Sequence, residues 1–443
     1  MTRSNGFLHW VFPAMLMLVG LTVIFSGRDL ATQYEDLQAF NAGFQHPVVI
    51  WVQRAVSLLL LAAAAERIIS HIALHKHLPS ALLAAAFVVY WLATVAAPAL
   101  LSSHPKLAHE YLYTLIIGFA VVISGSAERD KILNASRNAL VLFMLASVLL
   151  IPVVPSLVID TSYAQGLLPG VPRLGGLAPH AVALGMFALT GLLLLWARPF
   201  RRTWLTRLSW LLCFAAMFLS QSKTAWIAFV LCAATMLAVR NGPGFWQRLG
   251  DPRQSASGIV ACLGGMLVAA VLLVLVLVGD LGGKIVSFLD TAEGAQLVSL
   301  TGRDQIWAVA IEEWHANRLF GYGPTLFDDD FRASIGMPNA THGHNQFMDT
   351  LARSGSVGAV ALVLYALVLL VLSLRHARAT GGLSLALFVA LAMRSVSEVP
   401  LMLFGYGSEV FAHLLLLVVL ASSGKARVEV TAGPRRPTYR TAA

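Results

Sequence analysis

Charged residues are scarce in this chain of 443 residues: only 12% are charged, whereas 58% are hydrophobic. Soluble globular domains carry about 25% charged residues, so the composition excludes a soluble enzyme or a soluble binding module. The apolar residues form long continuous runs without period-two alternation, which excludes a transmembrane barrel. The sequence therefore predicts an all-α polytopic membrane protein.

Cysteine is also scarce, and nucleotide-binding motifs are absent. Cys213, Cys232 and Cys262 are the three cysteines, and all lie in predicted spans, so a disulfide framework is not expected. The chain contains neither G-x-x-x-x-G-K-[ST] nor G-x-G-x-x-G, which argues against a nucleotide-binding domain. The net charge of +9 is spread over several loops, and we expect no nucleic-acid partner.

Twelve apolar runs approach the length of about 20 residues that a membrane-spanning helix needs. Most of the 31 Lys and Arg residues fall on one side if both termini are cytoplasmic, and positive charge marks the cytoplasmic side. The predicted spans are about 7–26, 47–65, 81–101, 110–126, 138–155, 179–197, 207–221, 224–239, 258–280, 355–374, 380–399 and 400–421.

This topology divides the chain into four parts. Residues 1–280 hold spans one to nine with short loops, and residues 281–354 form an outer helical loop between spans nine and ten. Residues 355–421 hold the last three spans, and residues 422–443 form a basic cytoplasmic tail that we expect to be disordered.

Two helices are expected in the outer loop. Apolar residues recur at i, i+3, i+4 and i+7 from Trp307 to Trp314, which predicts an amphipathic helix over Arg303–Asn317. Thr301 is a suitable N-cap for it. A second helix is expected to begin near His344 and to continue into the tenth span.

Four polar clusters lie on the outer side of this topology. Their arginine and lysine side chains can neutralise a phosphate, and imidazole can take a proton from a hydroxyl. Structural alternatives remain: Arg173 could face lipid headgroups, Lys223 could be a snorkelling lysine, and Arg303 could cap its helix. The clusters are Pro172–Gly176 with His180, Ser220–Thr224, Thr301–Asp304 and Thr341–Gln346.

Charged residues elsewhere allow further expectations. Arg54 lies within a predicted span, where arginine marks a cavity or a pathway. Arg394 and Glu398 are spaced i, i+4 and are expected to pair with each other. The run Asp328–Asp330 is typical of a solvated turn, so we predict no metal site and no cofactor.

The segment from His344 to Gly358 resembles the H-N-x5-L-x3-G-x2-G signature of the O-antigen ligase and polymerase superfamily. Similarity extends over about residues 205–365. Lys223 departs from the pattern, because many relatives carry arginine there. The matching positions are His344, Asn345, Leu351, Gly355 and Gly358, with Arg303, Trp307 and Gly321–Gly323 upstream and Ser220–Trp226 resembling the family's S-[RK]-x-x-[WL] turn.

The resemblance implies a glycosyltransferase with a GT-C-like fold of about twelve helices and a periplasmic site on the bacterial inner membrane. It implies that His344 is catalytic and that cationic side chains bind the substrate diphosphate. The diphosphate-binding residues would be Arg173, Arg303 and Lys223, with His342, Asn345, Arg54 and His180 as supporting residues.

An O-antigen ligase is the favoured activity: polysaccharide would pass from undecaprenyl diphosphate to lipid A-core, within a lipid membrane. We expect an inverting, metal-independent transfer with His344 as the base, whose acid limb should fall near the ordinary imidazole pKa of roughly 6–7. O-antigen polymerase and protein O-oligosaccharyltransferase are alternatives within the superfamily. A flippase or transporter is disfavoured, because few charged residues lie within the spans.

Overall fold

Helices make up most of the computed structural model, which describes residues 6–30, 47–161, 170–249, 303–338, 340–405 and 409–423. A short 3-10 turn, Phe7–Trp10, precedes the first helix, and one antiparallel pairing joins β1 (Ile159–Asp160) to β2 (Arg173–Leu174). The helices are α1 (Val11–Ile24), α2 (Pro47–Ala73), α3 (Ala81–Leu101, with a π turn at Leu92–Ala96), α4 (Tyr111–Val122), α5 (Ser126–Leu149), α6 (Pro155–Val158), α7 (Ala181–Ala197), α8 (Thr203–Leu219), α9 (Lys223–Leu249), α10 (Arg303–Ala316), α11 (Asp329–Ser334), α12 (Gln346–His376), α13 (Leu383–Ser395) and α14 (Val410–Ser423).

The helices confirm an all-α polytopic membrane protein. Among the described residues, six helices are long and apolar enough to cross a membrane, and five shorter apolar helices accompany them. Every predicted span has a counterpart except 258–280, which lies outside the described residues, as do Cys262 and Thr301. The four-part division of the chain stays a prediction.

The bounds of two spans differ from the predicted ones. The fifth helix begins at Ser126, because the polar residues of its first turns belong to the same helix as the apolar run. The last helix begins at Val410 rather than at residue 400. Pro400 lacks an amide hydrogen, and the described residues between α13 and α14 form a loop instead of continuing the span.

Two helices, α7 and α14, are enclosed by the others. Both are apolar on all faces, which is the pattern of a helix surrounded by protein, and most of their side chains are buried. Aromatic edge-to-face contacts join them to α1: the Phe411 ring centroid lies 5.7 Å from that of Phe187 and 5.4 Å from that of Phe12. A polar contact of 2.6 Å between Tyr365 Oη and His413 Nε2 links α12 to α14, as membrane interiors require of buried polar groups.

Arg28, just beyond α1, fixes the outer loop that leads to α7. Its guanidinium is buried, and it donates to the carbonyl oxygens of Leu157 at 2.7 Å and Gly176 at 2.6 Å. It also donates to Ala178 at 2.8 Å and Pro179 at 3.0 Å. One side chain thereby satisfies carbonyls from two loop segments and sets the position of the loop that carries Arg173 and His180.

Both predicted helices of the outer loop are confirmed: α10 covers Arg303–Ala316, and α12 begins at Gln346. The second helix is interrupted at Gly355, which has φ 63° and ψ −165°. There the amides of Ser356 and Val357 donate to Arg318 O at 2.8 Å and Leu319 O at 3.2 Å. The glycine of the sequence signature thus marks a point where two backbones meet.

We expect Gly355→Ala to destabilise the protein by about 3 kcal/mol or more, because a positive φ disfavours a side chain and the backbone neighbour cannot move aside. A Cβ at this position would lie 2.3 Å from the carbonyl carbon and oxygen of Leu319. Thermal unfolding of the purified protein in detergent measures the effect.

Gly242→Ala is the matched control, because a Cβ there meets nothing within 4 Å and alanine is the better helix former. Equal melting temperatures for Gly355→Ala and the wild type would contradict the close approach.

Candidate active site

The histidine loop, Thr341–Asn345, leads directly into α12. Asn345 has an extended backbone, with φ −162°, and its side chain accepts hydrogen bonds from the amides of Phe347 at 3.0 Å and Met348 at 3.1 Å. These are the contacts of a helix N-cap. Asn345 therefore ends the loop and fixes its direction relative to the helix.

The peptide groups of Gly343 are held from two directions. Its amide donates to Asp349 Oδ1 at 3.0 Å, and its carbonyl accepts from Trp307 Nε1 at 2.9 Å. A Cβ on Gly343 would lie 3.0 Å from Asp349 atoms, so glycine permits this approach. The loop is consequently anchored to α12 on one side and to α10 on the other.

Asp349 is itself fixed by Arg353, one turn further along α12. Arg353 Nε lies 3.2 Å from Asp349 Oδ2, and both residues are buried. The Arg353 guanidinium also donates to Pro324 O at 2.8 Å and Leu326 O at 2.7 Å. Buried charges are tolerated when they are paired and fully hydrogen-bonded in this way.

His344 has an unusual backbone conformation, with φ 46°. Its amide donates to His342 Nδ1 at 3.1 Å, and the two imidazole centroids are 4.2 Å apart at an interplanar angle of 57°. A non-glycine residue in the left-handed region costs free energy and persists only where its surroundings hold it. The loop thus presents two adjacent imidazoles in a constrained geometry.

His342 pairs with Glu398, a residue from the loop after α13. His342 Nε2 lies 3.1 Å from Glu398 Oε2. The expected pairing of Glu398 with Arg394 is wrong: Arg394 Nη2 instead lies 2.5 Å from Glu409 Oε2. The i, i+4 rule assumes a continuing helix, whereas α13 ends at Ser395 and the Glu398 side chain turns towards the histidine loop.

The protonation of the two histidines differs because their neighbours differ. Burial, His342 and the charge of Arg303 lower the pKa of His344 to about 4, against a weaker opposite effect of Glu398. The ordinary imidazole pKa assumed from the sequence therefore does not hold here. At neutral pH, His344 is uncharged and can accept a proton.

Burial disfavours charge on both residues of the neighbouring pair, and the contact between them opposes this effect. The pairing with His342, aided by the charge of His180, lowers the pKa of Glu398 to about 2. Glu398 in turn raises the pKa of His342. Glu398 is therefore ionised at every pH of interest and directs a full negative charge at Nε2 of His342.

Arg303 and His180 come close enough to His344 for their charges to affect its pKa. His180 is the N-cap of α7, and its Nδ1 accepts from the amide of Ala183 at 3.2 Å. Arg303 is the first residue of α10, the helix that also supplies Trp307. The sequence-predicted residues from three separate clusters thus converge at the histidine loop.

Arg173 and Lys223 belong to two segments that contact each other. Arg173 Nε donates to Ser220 O at 2.9 Å, and Gln221 Nε2 donates to Val171 O at 2.8 Å. These bonds dock the loop of Arg173 on the turn that precedes Lys223, the first residue of α9. Gly185 of α7 permits this packing, since a Cβ there would lie 2.7 Å from Ser220 Oγ.

Arg54 is placed differently from the other candidates. It is an exposed residue near the start of α2, and its guanidinium lies 5.3 Å from the ring centroid of Trp51. The contact is a surface cation–π interaction. The acidic run also has a structural place: Asp328 caps α11 by accepting from Phe331 N at 2.9 Å, and Asp329 pairs with Arg332.

Sequence reasoning did not assign Glu398, Asp349 or Trp307 to the site. Glu398 was assigned to a local pair, and its contact with His342 spans 56 positions that no local spacing reveals. Asp349 lies one helical turn beyond the N-cap, where an acidic residue is ordinary. Trp307 was identified as an apolar position of α10 and as a match to the family pattern, without a role at the site, although its indole nitrogen needs a partner when buried.

One group in the described residues also has the composition of a metal-binding site. Nitrogen and oxygen atoms of His342, His344 and Glu398 lie within 4.8 Å of one another. Imidazole and carboxylate are ligands that zinc and similar divalent ions accept. The same atoms suit proton transfer, since a neutral imidazole stands beside an imidazole–carboxylate pair.

Comparison with known proteins shows similarity to one family over part of the chain. Residues 208–363 match the family model described as O-antigen ligase, a range that includes the turn before Lys223, the start of α10 and the histidine loop. Arg173 and Glu398 lie outside it. The comparison with curated proteins found no match. The matched region contains several of the segments that form this site, and over these residues the chain is similar to the O-antigen ligase family.

Proposed function

We propose that this protein is an O-antigen ligase of the bacterial inner membrane, with its active site on the periplasmic face. It would transfer a completed polysaccharide from undecaprenyl diphosphate to a sugar hydroxyl of lipid A-core. The observation that carries the proposal is the constrained histidine loop of the matched region, where His344 has φ 46° and its pKa is lowered by burial and by neighbouring charges that include Arg303.

The transfer needs a base and a stabiliser of negative charge. The acceptor oxygen attacks the anomeric carbon of the donor sugar, its proton passes to His344, and the bond from that carbon to the diphosphate breaks. The diphosphate leaves with the bonding electron pair. Displacement in one step inverts the anomeric configuration, and no oxidant or nucleotide is required.

The cationic side chains supply the charge stabilisation that this leaving group requires. Arg303 can form two parallel hydrogen bonds to phosphate oxygens, whereas Lys223 provides a single point charge. Arg173 adjoins Lys223 through the bond to Ser220. Such preorganised cations are most effective where charge develops in the transition state, and we propose that they make a divalent ion unnecessary.

An enzyme of this kind differs from a lipid transporter in one product: a new covalent bond to the acceptor. Wild-type protein in proteoliposomes containing the lipid-linked polysaccharide and lipid A-core should form that product in the presence of EDTA. His344→Ala should reduce turnover by about two decades or more, because it removes the base. Gel mobility of the modified lipid A-core measures the product.

His315→Ala is the matched control, since His315 is an exposed histidine of α10 and should retain wild-type turnover. Full activity of His344→Ala would remove this residue from the mechanism. Loss of activity in EDTA that magnesium or zinc restores would instead assign the atoms of His342, His344 and Glu398 to a cation. Replacement of lipid A-core by a second lipid-linked chain tests the polymerase alternative.

The pH dependence follows from the lowered pKa of His344. A base must be unprotonated, and with a pKa of about 4 it stays so from neutral pH down to about pH 5. We therefore expect the acid limb of kcat to fall well below 6.5, the ordinary value for imidazole. Initial rates between pH 4.5 and 8, with protein integrity checked at each pH, measure it; a midpoint at 6.5 would contradict the proposed base.

Arg303→Ala should lower kcat/KM by roughly two to three decades through loss of transition-state stabilisation. Arg303→Lys should restore only part of the loss, since an ammonium cannot bind two oxygens in a fork. Arg318→Ala, a change in the outer loop beyond α10, is the control. Equal activity of Arg303→Ala and the wild type would show that Arg303 is a surface cation without a role in transfer.

A further inference from the structure

The segment Val396–Leu401, which follows α13, contacts the histidine loop and the start of α12 at three points. This segment lies outside the region matched to the family and is separated from the loop by about 50 residues of chain. Its contacts are His342 Nε2 with Glu398 Oε2 at 3.1 Å, Asn345 Nδ2 with Val396 O at 3.4 Å, and Leu401 N with Gln346 Oε1 at 2.7 Å.

The contact with Glu398 determines which nitrogen of His342 carries the hydrogen. A neutral imidazole has one donor and one acceptor nitrogen. A carboxylate 3.1 Å from Nε2 favours the hydrogen at Nε2, which leaves the lone pair of Nδ1 free to accept. The amide of His344 donates to that Nδ1 at 3.1 Å. The hydrogen at Nε2 and the lone pair at Nδ1 are therefore both consistent with the contacts of His342.

The hydrogen bond from the His344 amide lies at a strained point of the backbone. His344 has φ 46°, a conformation that a non-glycine residue adopts only when neighbouring contacts hold it. The peptide before it is fixed by Trp307 and Asp349, and the residue after it is fixed as an N-cap. The bond to His342 Nδ1 is the described contact that holds the His344 amide itself.

We propose that Glu398 and His342 are positioning residues for His344. Glu398 fixes the tautomer of His342, and His342 then holds the His344 backbone so that its imidazole points at the reacting groups. This inference rests on the proposed function, because it assumes that His344 is the base. Neither residue touches the substrate: both act through the orientation of His344.

The consequence is a defect in kcat without a defect in binding. Misplacement of a reacting group by about 1 Å can cost about 100-fold in rate. Glu398→Ala should thus lower kcat by about 30–100-fold and leave the KM for the lipid-linked donor unchanged, since Arg303 and Arg173 remain. Glu398→Gln should stay within about 5-fold of the wild type, because its amide oxygen can still accept from Nε2.

A second pair of variants tests the bond to the His344 amide directly. In His342→Asn, the amide oxygen lies as far along the side chain as Nδ1 of histidine. This oxygen can accept the hydrogen bond from the His344 amide whichever residue is at position 398. His342→Asn should remain within about 5-fold of the wild type, whereas His342→Leu should lose about as much kcat as Glu398→Ala. In the His342→Asn background, Glu398→Ala should cost little, a non-additivity that marks direct coupling.

Glu312→Gln is the matched control, because Glu312 is an exposed carboxylate of α10 and its replacement should leave kcat unchanged. Melting temperatures of all variants separate misfolding from misplacement. If Glu398→Ala does not fold, the comparison of His342→Asn with His342→Leu decides alone.

Three results would overturn the inference: wild-type kcat in Glu398→Ala, equal loss in His342→Asn and His342→Leu, or additive effects in the double variant. A failure of the proposed function is distinguishable, since it appears as activity in His344→Ala whatever the residue at 398.

Discussion

The buried ion pair between Asp349 and Arg353 is the interaction on which the candidate site depends. Its two side chains connect three parts of the outer structure: the Gly343 amide, the helix α12 itself, and the carbonyls of Pro324 and Leu326. Loss of one partner would leave a buried charge without compensation, which is far costlier than loss of an exposed pair. The ion pair therefore holds the histidine loop in place through the bond from the Gly343 amide to Asp349.

Arg28 plays the corresponding part for the other half of the site. It satisfies carbonyl groups on the segments around Leu157 and Gly176, and this loop ends in His180. Because unpaired backbone groups are expensive near a bilayer, an arginine that satisfies several carbonyls can order a loop that has little regular structure. The buried guanidinium groups of Arg28 and Arg353 thus hold together segments that have little regular secondary structure.

The all-helical class and the helices of the outer loop could be predicted because they depend on local patterns. Apolar run length indicates spans, and the spacing from Trp307 to Trp314 indicates α10. The signature marked His344 and its loop, whereas the break in α12 at Gly355 was not predicted, although this glycine belongs to the signature. Each of the predicted features depends on residues that are close together in the sequence.

The pairing of Glu398 could not be predicted, because it depends on where α13 ends and how the following loop returns. Burial of His344 was equally inaccessible, since its pKa reflects neighbours contributed by several segments. The start of α14 was misplaced because residues 400–409 are apolar enough to resemble a span. Hydropathy measures transfer to lipid, and it does not distinguish lipid from a protein interior.

The break at Gly355 has a consequence for the hydration of the helix that follows it. The first amides of a helix ordinarily need water or a capping side chain, yet those of Ser356 and Val357 donate to Arg318 and Leu319 carbonyls. The membrane-directed part of α12 therefore begins with its hydrogen bonds already satisfied by protein. A helix that begins in this way needs no water at these amides, so it can start inside an apolar environment.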